Sequence, residues 1–341
     1  MIEKISISNY KCIDYAELEL KPLTIVTGLN STGKSTLLQA ILLPEAFMMR
    51  NGILGISRDF NVTRCKYVDR NEIMVEIKYS AKSKCLKSYA TKISIEGDDE
   101  VKILYGKRMF YLAANRIIGD SVGIKIPEEI AISPNGLDAF ATYEMEKNTP
   151  VIDKLLKDED SGRMLSAQVN YWLKEILDLN IKLSTSLTDT KQRVDISYTS
   201  DDIDNITPSN LGTGVTFLAE MLITCLRAKE GDIMLIENPE IHLHPKAQSK
   251  VGEFLAFVAN AGIQVIVETH CENMINRIQY EVYSHQLTNT DVIIYYKEKS
   301  TTPYIPIALN KKGQYCINHE ENVEFPEGFF DATLKELIEM A

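Results

Sequence analysis

The chain has 341 residues, of which 45% are hydrophobic and 25% charged, and its formal net charge is −11. This length and composition predict a folded globular protein of about two domains and exclude a disordered or fibrous chain. The negative charge argues against a protein that coats nucleic acid through its overall charge, because phosphate binding requires a positive field.

The cysteines and the first residues predict the compartment. The six cysteines are scattered without a Cys-x-x-Cys pair, which argues against a zinc ribbon or a secreted disulfide framework. The start, MIEKISISNYKCIDY, alternates polar and apolar residues instead of presenting a signal segment. No apolar run approaches the ~20 residues of a membrane span. We therefore expect a cytoplasmic protein without membrane contact.

The first 45 residues predict a strand, a second strand, a loop and a helix. Residues 2–8 (IEKISIS) alternate with period two, AELELKPLTIVTG continues into a buried run, and STLLQAILLPEA has helical spacing. In the loop GLNSTGKST, four residues separate Gly28 from Gly33-Lys34-Ser35, which is the spacing of a phosphate-binding loop between strand and helix.

Each position of this loop has a chemical role. Gly28 and Gly33 let the backbone turn its N–H groups toward β- and γ-phosphates at the positive end of the following helix. Lys34 adds a movable positive charge, and the Ser35 hydroxyl is predicted to ligate Mg²⁺. The ATP-binding residues predicted here are Asn30, Ser31, Thr32, Gly33, Lys34, Ser35 and Thr36.

The middle of the chain carries weaker signals. Four lysines of YSAKSKCLKSYATK indicate an exposed strand face, with DNA or partner contact as the alternative: Lys82, Lys84, Lys87 and Lys92. Arg116 follows an apolar segment and is predicted either to contact phosphate or to form a structural ion pair. Residues 116–205 lack sustained heptads, favour a helix over GRMLSAQVNYWLKEILDL, and include an acidic loop at Asp201, Asp202 and Asp204.

A second glycine turn precedes a helix predicted over residues 215–228. Gly212, Thr213 and Gly214 form a helix start of the kind that binds anions. Beside a complete phosphate loop in the same subunit such a site would be redundant. The turn in LGTGV resembles the signature that ABC-class ATPases present to ATP held by a second subunit, and this resemblance implies the same role here. A capped core helix is the alternative.

The strand predicted over residues 233–236 runs into Glu237-Asn238-Pro239-Glu240. Glu237 is predicted to associate with Mg²⁺ through water. Asn238 occupies the usual position of the base and cannot accept a proton from water at neutral pH. Glu240 is the nearest carboxylate that could replace it, so we expect slow hydrolysis.

Histidines follow both buried strands of this half. IQVIVETH ends in His270, at the position that resembles the γ-phosphate sensor of ABC-class ATPases. This resemblance implies that the imidazole hydrogen-bonds the γ-phosphate, with a structural histidine as the alternative. Glu240, His242 and His244 are compatible with a metal cluster, but a zinc ion needs further ligands, and we favour a turn.

These segments resemble a known family. NYKCIDYAELELKPLTIVTGLNSTGKSTLLQAI, NLGTGV, MLIENPEIHLHPKAQSKVGEFLA and QVIVETHCENMINRI are similar to the SMC/RecF-like AAA ATPases, the ABC-class group that includes the ATPase half of the overcoming-lysogenization-defect (OLD) nucleases. FYLAANRIIG is similar to a YLSAER segment of these relatives, with Asn115 in place of their acid. The ending FPEGFFDATLKEL resembles the WPxGFFD tail of one branch, found in prokaryotic defence and mobile-element neighbourhoods.

The resemblance implies an α/β P-loop NTPase with an ABC-type head, built on a mostly parallel sheet. It also implies an antiparallel β region in the first 110 residues and a short helical insertion. We expect the first part of the head at 1–115, the insertion at 116–205, the second part of the head at 206–300 and a tail at 301–341.

The resemblance also implies a head-to-tail homodimer that sandwiches two ATP molecules with Mg²⁺ and acts as a nucleotide-gated switch. The effector would be a separate protein from a neighbouring gene, in antiphage defence or DNA processing. About 70 residues follow His270 without the acidic cluster of the OLD nuclease domain. A DNA-binding or nuclease enzyme and a non-hydrolysing ATP-dependent scaffold remain alternatives, and DNA contact stays open.

Overall fold

The two periodicities of the sequence appear as strands and helices. The strands are β1 Ile2–Tyr10, β2 Ile13–Glu19, β3 Leu23–Gly28, β4 Glu72–Tyr79, β5 Lys82–Tyr89, β6 Lys92–Gly97, β7 Met109–Leu112, β8 Ser121–Gly123, β9 Lys182–Leu187, β10 Arg193–Ser200, β11 Ile203–Ile206, β12 Ile233–Glu237, β13 Gln264–Glu268, β14 Val292–Lys297, β15 Ile305–Leu309, β16 Tyr315–Ile317 and β17 Glu320–Glu321. The helices are α1 Lys34–Met48, α2 Asp138–Glu146, α3 Leu165–Leu177, α4 Thr213–Leu226, α5 Pro245–Asn260 and α6 Glu272–Tyr283.

The computed structural model describes residues 1–48, 72–79, 82–89, 92–97, 105–123, 133–157, 160–190, 192–201, 203–318, 320–321, 323 and 326. Internal contacts divide the chain into two compact units. Unit 1 comprises Met1–Leu104, Ile266–Glu272 and Gln279–Ala341, and unit 2 comprises Tyr105–Val265 and Asn273–Ile278. The predicted GFFD tail lies outside the described residues, and the four predicted segment boundaries remain a prediction.

Unit 1 contains the predicted antiparallel β region. Its five strands lie in the order β2-β1-β4-β5-β6, and β1 pairs with β2 from Lys4↔Glu19 to Tyr10↔Ile13. The alternate residues Ile5 and Ile7 of β1 are fully buried, as a strand with one covered face requires. The lysines predicted on an exposed strand face fall on β5 and β6, and their side chains lie outside the described set.

The second sheet of unit 1 carries the phosphate loop. Its strands follow the order β17-β16-β15-β14-β3-β13, and β14 runs parallel to β3 from Val292↔Leu23 to Lys297↔Gly28. All six residues of β3 are buried, as in a parallel strand covered on both faces. The loop and α1 continue directly from the carboxyl end of β3.

Unit 2 contains the strand that ends at Glu237 and the glycine turn at Gly212–Gly214. β12 runs parallel to β7 from Ile233↔Met109 to Ile236↔Leu112. Its core includes Trp172 of α3, which is 1% exposed and packs edge-on against Phe254 of α5 at a centroid distance of 4.9 Å. Helix α4 starts at Thr213, two residues before the predicted start.

The segment predicted as a helical insertion contains more than helices. Helices α2 and α3 are present, and α3 falls on the predicted helical stretch. The segment also forms an antiparallel sheet in which β10 pairs with β8, β9 and β11. The period-two alternation of KLSTSL and RVDISYTS accounts for these strands. In the part of the chain that the structure describes, no helix is long and apolar enough to span a bilayer.

Candidate functional site

The phosphate loop of unit 1 closes on the carbonyl of its own second residue. The Thr32 hydroxyl donates to the Leu29 carbonyl at 2.9 Å, and the Lys34 ammonium donates to the same oxygen. Thr32 and Lys34 are buried, at 4% and 3% exposed, whereas Asn30 and Ser31 are exposed. The loop therefore presents its first half to solvent and keeps the lysine charge inside.

The two loop glycines meet neighbouring atoms too closely for any side chain. Gly28 has a φ of +137°, and a Cβ built there would lie 2.1 Å from the Lys297 carbonyl oxygen. Gly33 has a φ of +107°, and its Cβ would lie 2.5 Å from Cys12 Sγ. Both glycines have a φ that residues with a side chain rarely adopt, and at Gly28 the close atom is itself backbone. These constraints act in addition to the phosphate-binding role predicted from the sequence.

The back of the loop rests on the end of β14 and the segment that follows it. The Tyr304 hydroxyl donates to the Gly33 carbonyl at 2.9 Å. The ammonium of Lys297, which is 3% exposed, lies 4.4 Å from the centroid of the Tyr304 ring. This support was not predicted, because its residues are about 270 positions from the loop and carry no motif.

Ser35 contacts a buried acid, Glu268, for which no role was predicted. The Ser35 hydroxyl donates to Glu268 Oε1 at 3.0 Å, and Glu268 is 5% exposed. Burial lowers the pKa of Lys34, and the Glu268 carboxylate opposes that shift. The signal for Glu268 was present, since the residue ends a buried strand as Glu237 does.

His270 follows the same strand at the surface. Thr269 N donates to the Val26 carbonyl at 3.0 Å and fixes the end of β13 beside β3. Partial burial of the His270 ring and the charge of Lys34 lower its pKa, and a hydrogen bond to the Gly28 backbone raises it. The net shift is downward, so the imidazole beside the loop is neutral at pH 7.

This shift predicts a pH dependence of stability. Because the folded-state pKa of His270 lies below that of the unfolded chain, acidification protonates the unfolded chain first and favours unfolding below about pH 6.5. We expect His270→Gln to lose less stability than the wild type between pH 7.5 and 5.5. Urea unfolding at both pH values measures this loss of stability. An equal loss in the wild type and in His270→Gln contradicts the prediction.

In unit 2, hydrogen bonds hold both oxygens of Glu237. The Tyr111 hydroxyl donates to Oε1 at 2.8 Å, and the Ala114 N–H donates to Oε2 at 3.0 Å. Glu237 is 6% exposed. The parallel pairing of β7 with β12 brings these donors to the acid, so Glu237 has fixed partners within its own unit.

The residues after Glu237 form a tight turn. Asn238 has a φ of +43°, and its carbonyl accepts from Ile241 N at 3.2 Å. Among the described residues, the side-chain oxygen of Asn238 is buried and has no hydrogen-bond partner. Such a group usually faces a water or a ligand, which fits the predicted role of orienting water.

Arg116 forms structural contacts. Its guanidinium donates to the Glu237 carbonyl at 2.9 Å and to the Ala113 carbonyl at 3.3 Å. Burial lowers its pKa, and the charges of Glu220 and then Glu240 oppose that shift. These contacts are hydrogen bonds to backbone carbonyls, and the choice between a phosphate contact and a structural ion pair stays a prediction. Glu240 is itself buried, at 8% exposed.

The glycine turn before α4 divides into an open and a closed position. Gly212 is exposed, and a Cβ built on it would meet no atom within 4 Å. Gly214 is buried, and its Cβ would lie 2.5 Å from the His242 carbonyl oxygen. Packing within unit 2 thus explains Gly214, whereas Gly212 and Thr213 leave the helix start accessible.

The histidines near Glu240 have other contacts. His244 Nδ1 accepts from Lys246 N at 3.3 Å and caps α5, and the His242 ring lies 6.0 Å from that of Phe217. Across the described ranges, no group of three His, Cys, Asp or Glu side chains is arranged to hold a metal ion. The turn is therefore favoured over the metal cluster. Asp201 and Asp204 are exposed, as predicted, but Asp204 lies on β11 and not in a loop, and Asp202 lies outside the described residues.

The predicted site residues thus fall into two groups. Unit 1 brings together the phosphate loop and His270 and adds Glu268. Unit 2 holds Glu237, Asn238 and Glu240, and separately the turn at Gly212–Gly214. The joint roles predicted for residues of different units remain predictions.

Comparison with known proteins gives a family and a fold. A family model described as an AAA ATPase domain matches residues 1–137 and 135–275. The DNA repair protein RecN of Rickettsia conorii is 24% identical over 258 residues, which are 71% of this chain and 44% of that protein. The chain thus spans less than half the length of that relative.

Two solved structures have a similar fold. The Smc head domain with an extended coiled coil, bound to the C-terminal domain of ScpA and derived from Pyrococcus furiosus, has a TM-score of 0.56 at 12% identity, over 99% of both chains. The SmcHead bound to the C-winged helix domain of ScpA has a TM-score of 0.53 at 16% identity, over 91% of this chain and 98% of that one. These likenesses confirm the predicted α/β P-loop ATPase head.

Proposed function

Because this chain belongs to the AAA ATPase domain family, we propose that it binds ATP with Mg²⁺, hydrolyses it slowly, and acts in a DNA-related process. The phosphate loop carries this proposal. Its two glycines are locked by their surroundings, its lysine is buried within it, and its serine hydroxyl lies against an acid. A chance glycine turn before a helix needs none of these features.

The loop would bind the phosphates through groups already in place. The N–H groups at the start of α1, at Lys34 and beyond, point toward the helix N-terminus, where an anion is favoured. The Lys34 ammonium would leave the Leu29 carbonyl to contact the phosphates, an exchange of one acceptor for a charged one.

The residues present fit a magnesium ion. Ser35 offers a hydroxyl oxygen, and Glu268 holds that hydroxyl from the other side, the oxygen chemistry that Mg²⁺ prefers. Bound Mg²⁺ would neutralise charge that develops on the phosphate oxygens. The water-mediated role of Glu237 stays part of the proposal, with its carboxylate held in one orientation by Tyr111 and Ala114.

Hydrolysis would depend on Glu240, with Asn238 orienting the attacking water. Asn238 fits because its buried amide oxygen faces no protein donor within the described chain. We expect Glu240→Gln to lower ATP turnover by about 100-fold, the low end of the contribution of a general base. Phosphate release measures the effect, and the exposed Glu175→Gln is the matched control. Normal turnover of Glu240→Gln would remove Glu240 as the base.

ATP would also join two copies of the chain. The exposed Gly212 and the accessible start of α4 support a turn presented to ATP on a second subunit. Sedimentation of the same Glu240→Gln protein should show a dimer with MgATP and a monomer with MgADP. A Glu240→Gln protein that stays monomeric with MgATP contradicts the sandwich.

A second candidate is a scaffold that binds ATP without hydrolysing it. Asn238 at the usual base position favours this candidate, because an amide accepts no proton from water at neutral pH. It predicts stable dimers of the wild type with ATP itself and equal, negligible turnover in the wild type and Glu240→Gln.

The biological setting is proposed from resemblance and from the name of one relative. The DNA repair protein RecN supports a DNA-related process. We propose that the ATP cycle gates a separate effector in a prokaryotic defence or DNA-processing system in the cytoplasm. Co-purification with the products of neighbouring genes, with and without ATP, tests for that effector.

A further inference from the structure

Two buried strands end in a glutamate, and the two carboxylates have different partners. Glu237 at the end of β12 accepts from Tyr111 and from the Ala114 N–H. Glu268 at the end of β13 accepts from the Ser35 hydroxyl, 3.0 Å away. The acid that contacts the serine of the phosphate loop in unit 1 is therefore Glu268, at the end of β13.

The direction of this hydrogen bond decides what Ser35 can offer to a cation. A serine hydroxyl has one proton and two lone pairs, and an ionised carboxylate only accepts. With its proton directed to Glu268, the Ser35 oxygen has its lone pairs available on the other side. A donor in place of Glu268 would take up one of those lone pairs.

The surroundings hold this arrangement in place. Glu268 is 5% exposed and Ser35 is the first-turn residue after the buried Lys34, whose positive charge interacts favourably with the carboxylate. A buried carboxylate is stable when it is hydrogen-bonded and close to an opposite charge. The Val26 carbonyl, which accepts from Thr269 N at 3.0 Å, anchors the residue next to Glu268 to β3.

We propose that Glu268 is a positioning residue for magnesium-bound nucleotide, which orients the Ser35 hydroxyl so that its oxygen can ligate the metal. This inference rests on the proposed function, because it requires nucleotide and Mg²⁺ at the phosphate loop. Glu268 thereby joins the phosphate loop as a residue of the proposed site.

The test measures the metal dependence of nucleotide binding. The probe is a fluorescent ATP analogue, titrated with full-length protein in Mg²⁺ and, separately, in EDTA. We expect Glu268→Gln to reduce the gain in affinity that Mg²⁺ confers by about 10- to 100-fold, as loss of a group that orients a metal ligand does, while affinity in EDTA changes little. The exposed acid Glu272→Gln is the matched control and should behave as the wild type.

A double-mutant cycle separates positioning from general structural support. If Glu268 acts through the Ser35 hydroxyl, the two substitutions are not additive. Ser35→Ala should lose the metal gain, and adding Glu268→Gln should then change it less than 2-fold. Full additivity, or an unchanged metal gain in Glu268→Gln alone, overturns the proposal.

Two further measurements keep the outcomes distinct. Glu268→Asp keeps a carboxylate acceptor and should retain more of the metal gain than Glu268→Gln, with thermal unfolding confirming that both proteins fold. If Glu268→Gln does not fold, Glu268→Ala takes its place in the same titrations, and an unchanged metal gain in Glu268→Ala overturns the proposal. If the wild type binds no nucleotide in Mg²⁺ or EDTA, the proposed function is wrong. If the wild type binds normally and Glu268→Gln keeps the full metal gain, only this inference is wrong.

Discussion

Lys34→Ala protein is expected to turn over ATP about 1,000-fold more slowly than the wild type, because removing one preorganised donor from a developing phosphate charge costs roughly that much. Lys34 is 3% exposed, and its ammonium donates to the Leu29 carbonyl within the loop. Its charge is therefore already desolvated and has only to exchange that carbonyl for a phosphate oxygen. Alanine leaves the loop without a cation.

Phosphate release at saturating ATP, together with binding of a fluorescent ATP analogue, measures this effect. The control is Lys299→Ala, which removes an exposed lysine of the same unit and should change neither quantity more than 2-fold. Turnover of Lys34→Ala within about 5-fold of the wild type would show that the phosphates bind elsewhere. A Lys34→Arg protein should also be impaired, because the planar guanidinium is larger than the space that a buried ammonium occupies.

Gly28→Ala is expected to lower the free energy of unfolding by about 2–5 kcal/mol, the sum of a strained backbone and a forced displacement of packed atoms. A φ of +137° disfavours any residue with a Cβ, and that Cβ would lie 2.1 Å from the carbonyl oxygen of Lys297. This oxygen belongs to the backbone of β14, which pairs with β3 in register. It cannot move aside as a flexible side chain can.

Gly212→Ala supplies the matched control and an effect of the opposite sign. Gly212 has a φ of −59° and a ψ of 129°, and its Cβ would meet no atom within 4 Å. Alanine at such a position restricts mainly the unfolded chain and should raise stability by about 0.4–1 kcal/mol. Guanidinium unfolding of the two variants and the wild type measures both changes in the free energy of unfolding. Equal stability of Gly28→Ala and the wild type would contradict the close packing of β3 against β14.

The sequence predicted the elements of this fold better than their partners. The phosphate loop, α3, α4 and β12 were predictable because each depends on local spacing and on burial of one face or of a whole strand. The sheet of β8, β9, β10 and β11 was not predicted, because short strands have a weaker periodic signal than the helix α3 in the same segment.

Side-chain partners were predictable only where a motif implies them. Glu268 and Ser35 are 233 positions apart, and period-two burial says that a strand-end acid is buried without saying which group it contacts. The same holds for Tyr111 on Glu237, which depends on the register of β7 with β12. Gly214 illustrates the converse, since its motif suggested a ligand and its packing against His242 gives a structural reason.

The phosphate loop is hydrogen-bonded to the residue that precedes β15. Gly33 is tied through its carbonyl to Tyr304, and Gly28 lies against the last residue of β14. Tyr304 directly precedes β15, which pairs with β14 and then with β16. If the proposed nucleotide binding displaces the loop, these contacts would carry the displacement to β15 and β16. β15 and β16 would then respond to nucleotide bound at the loop, although they contribute no residue to the proposed phosphate site.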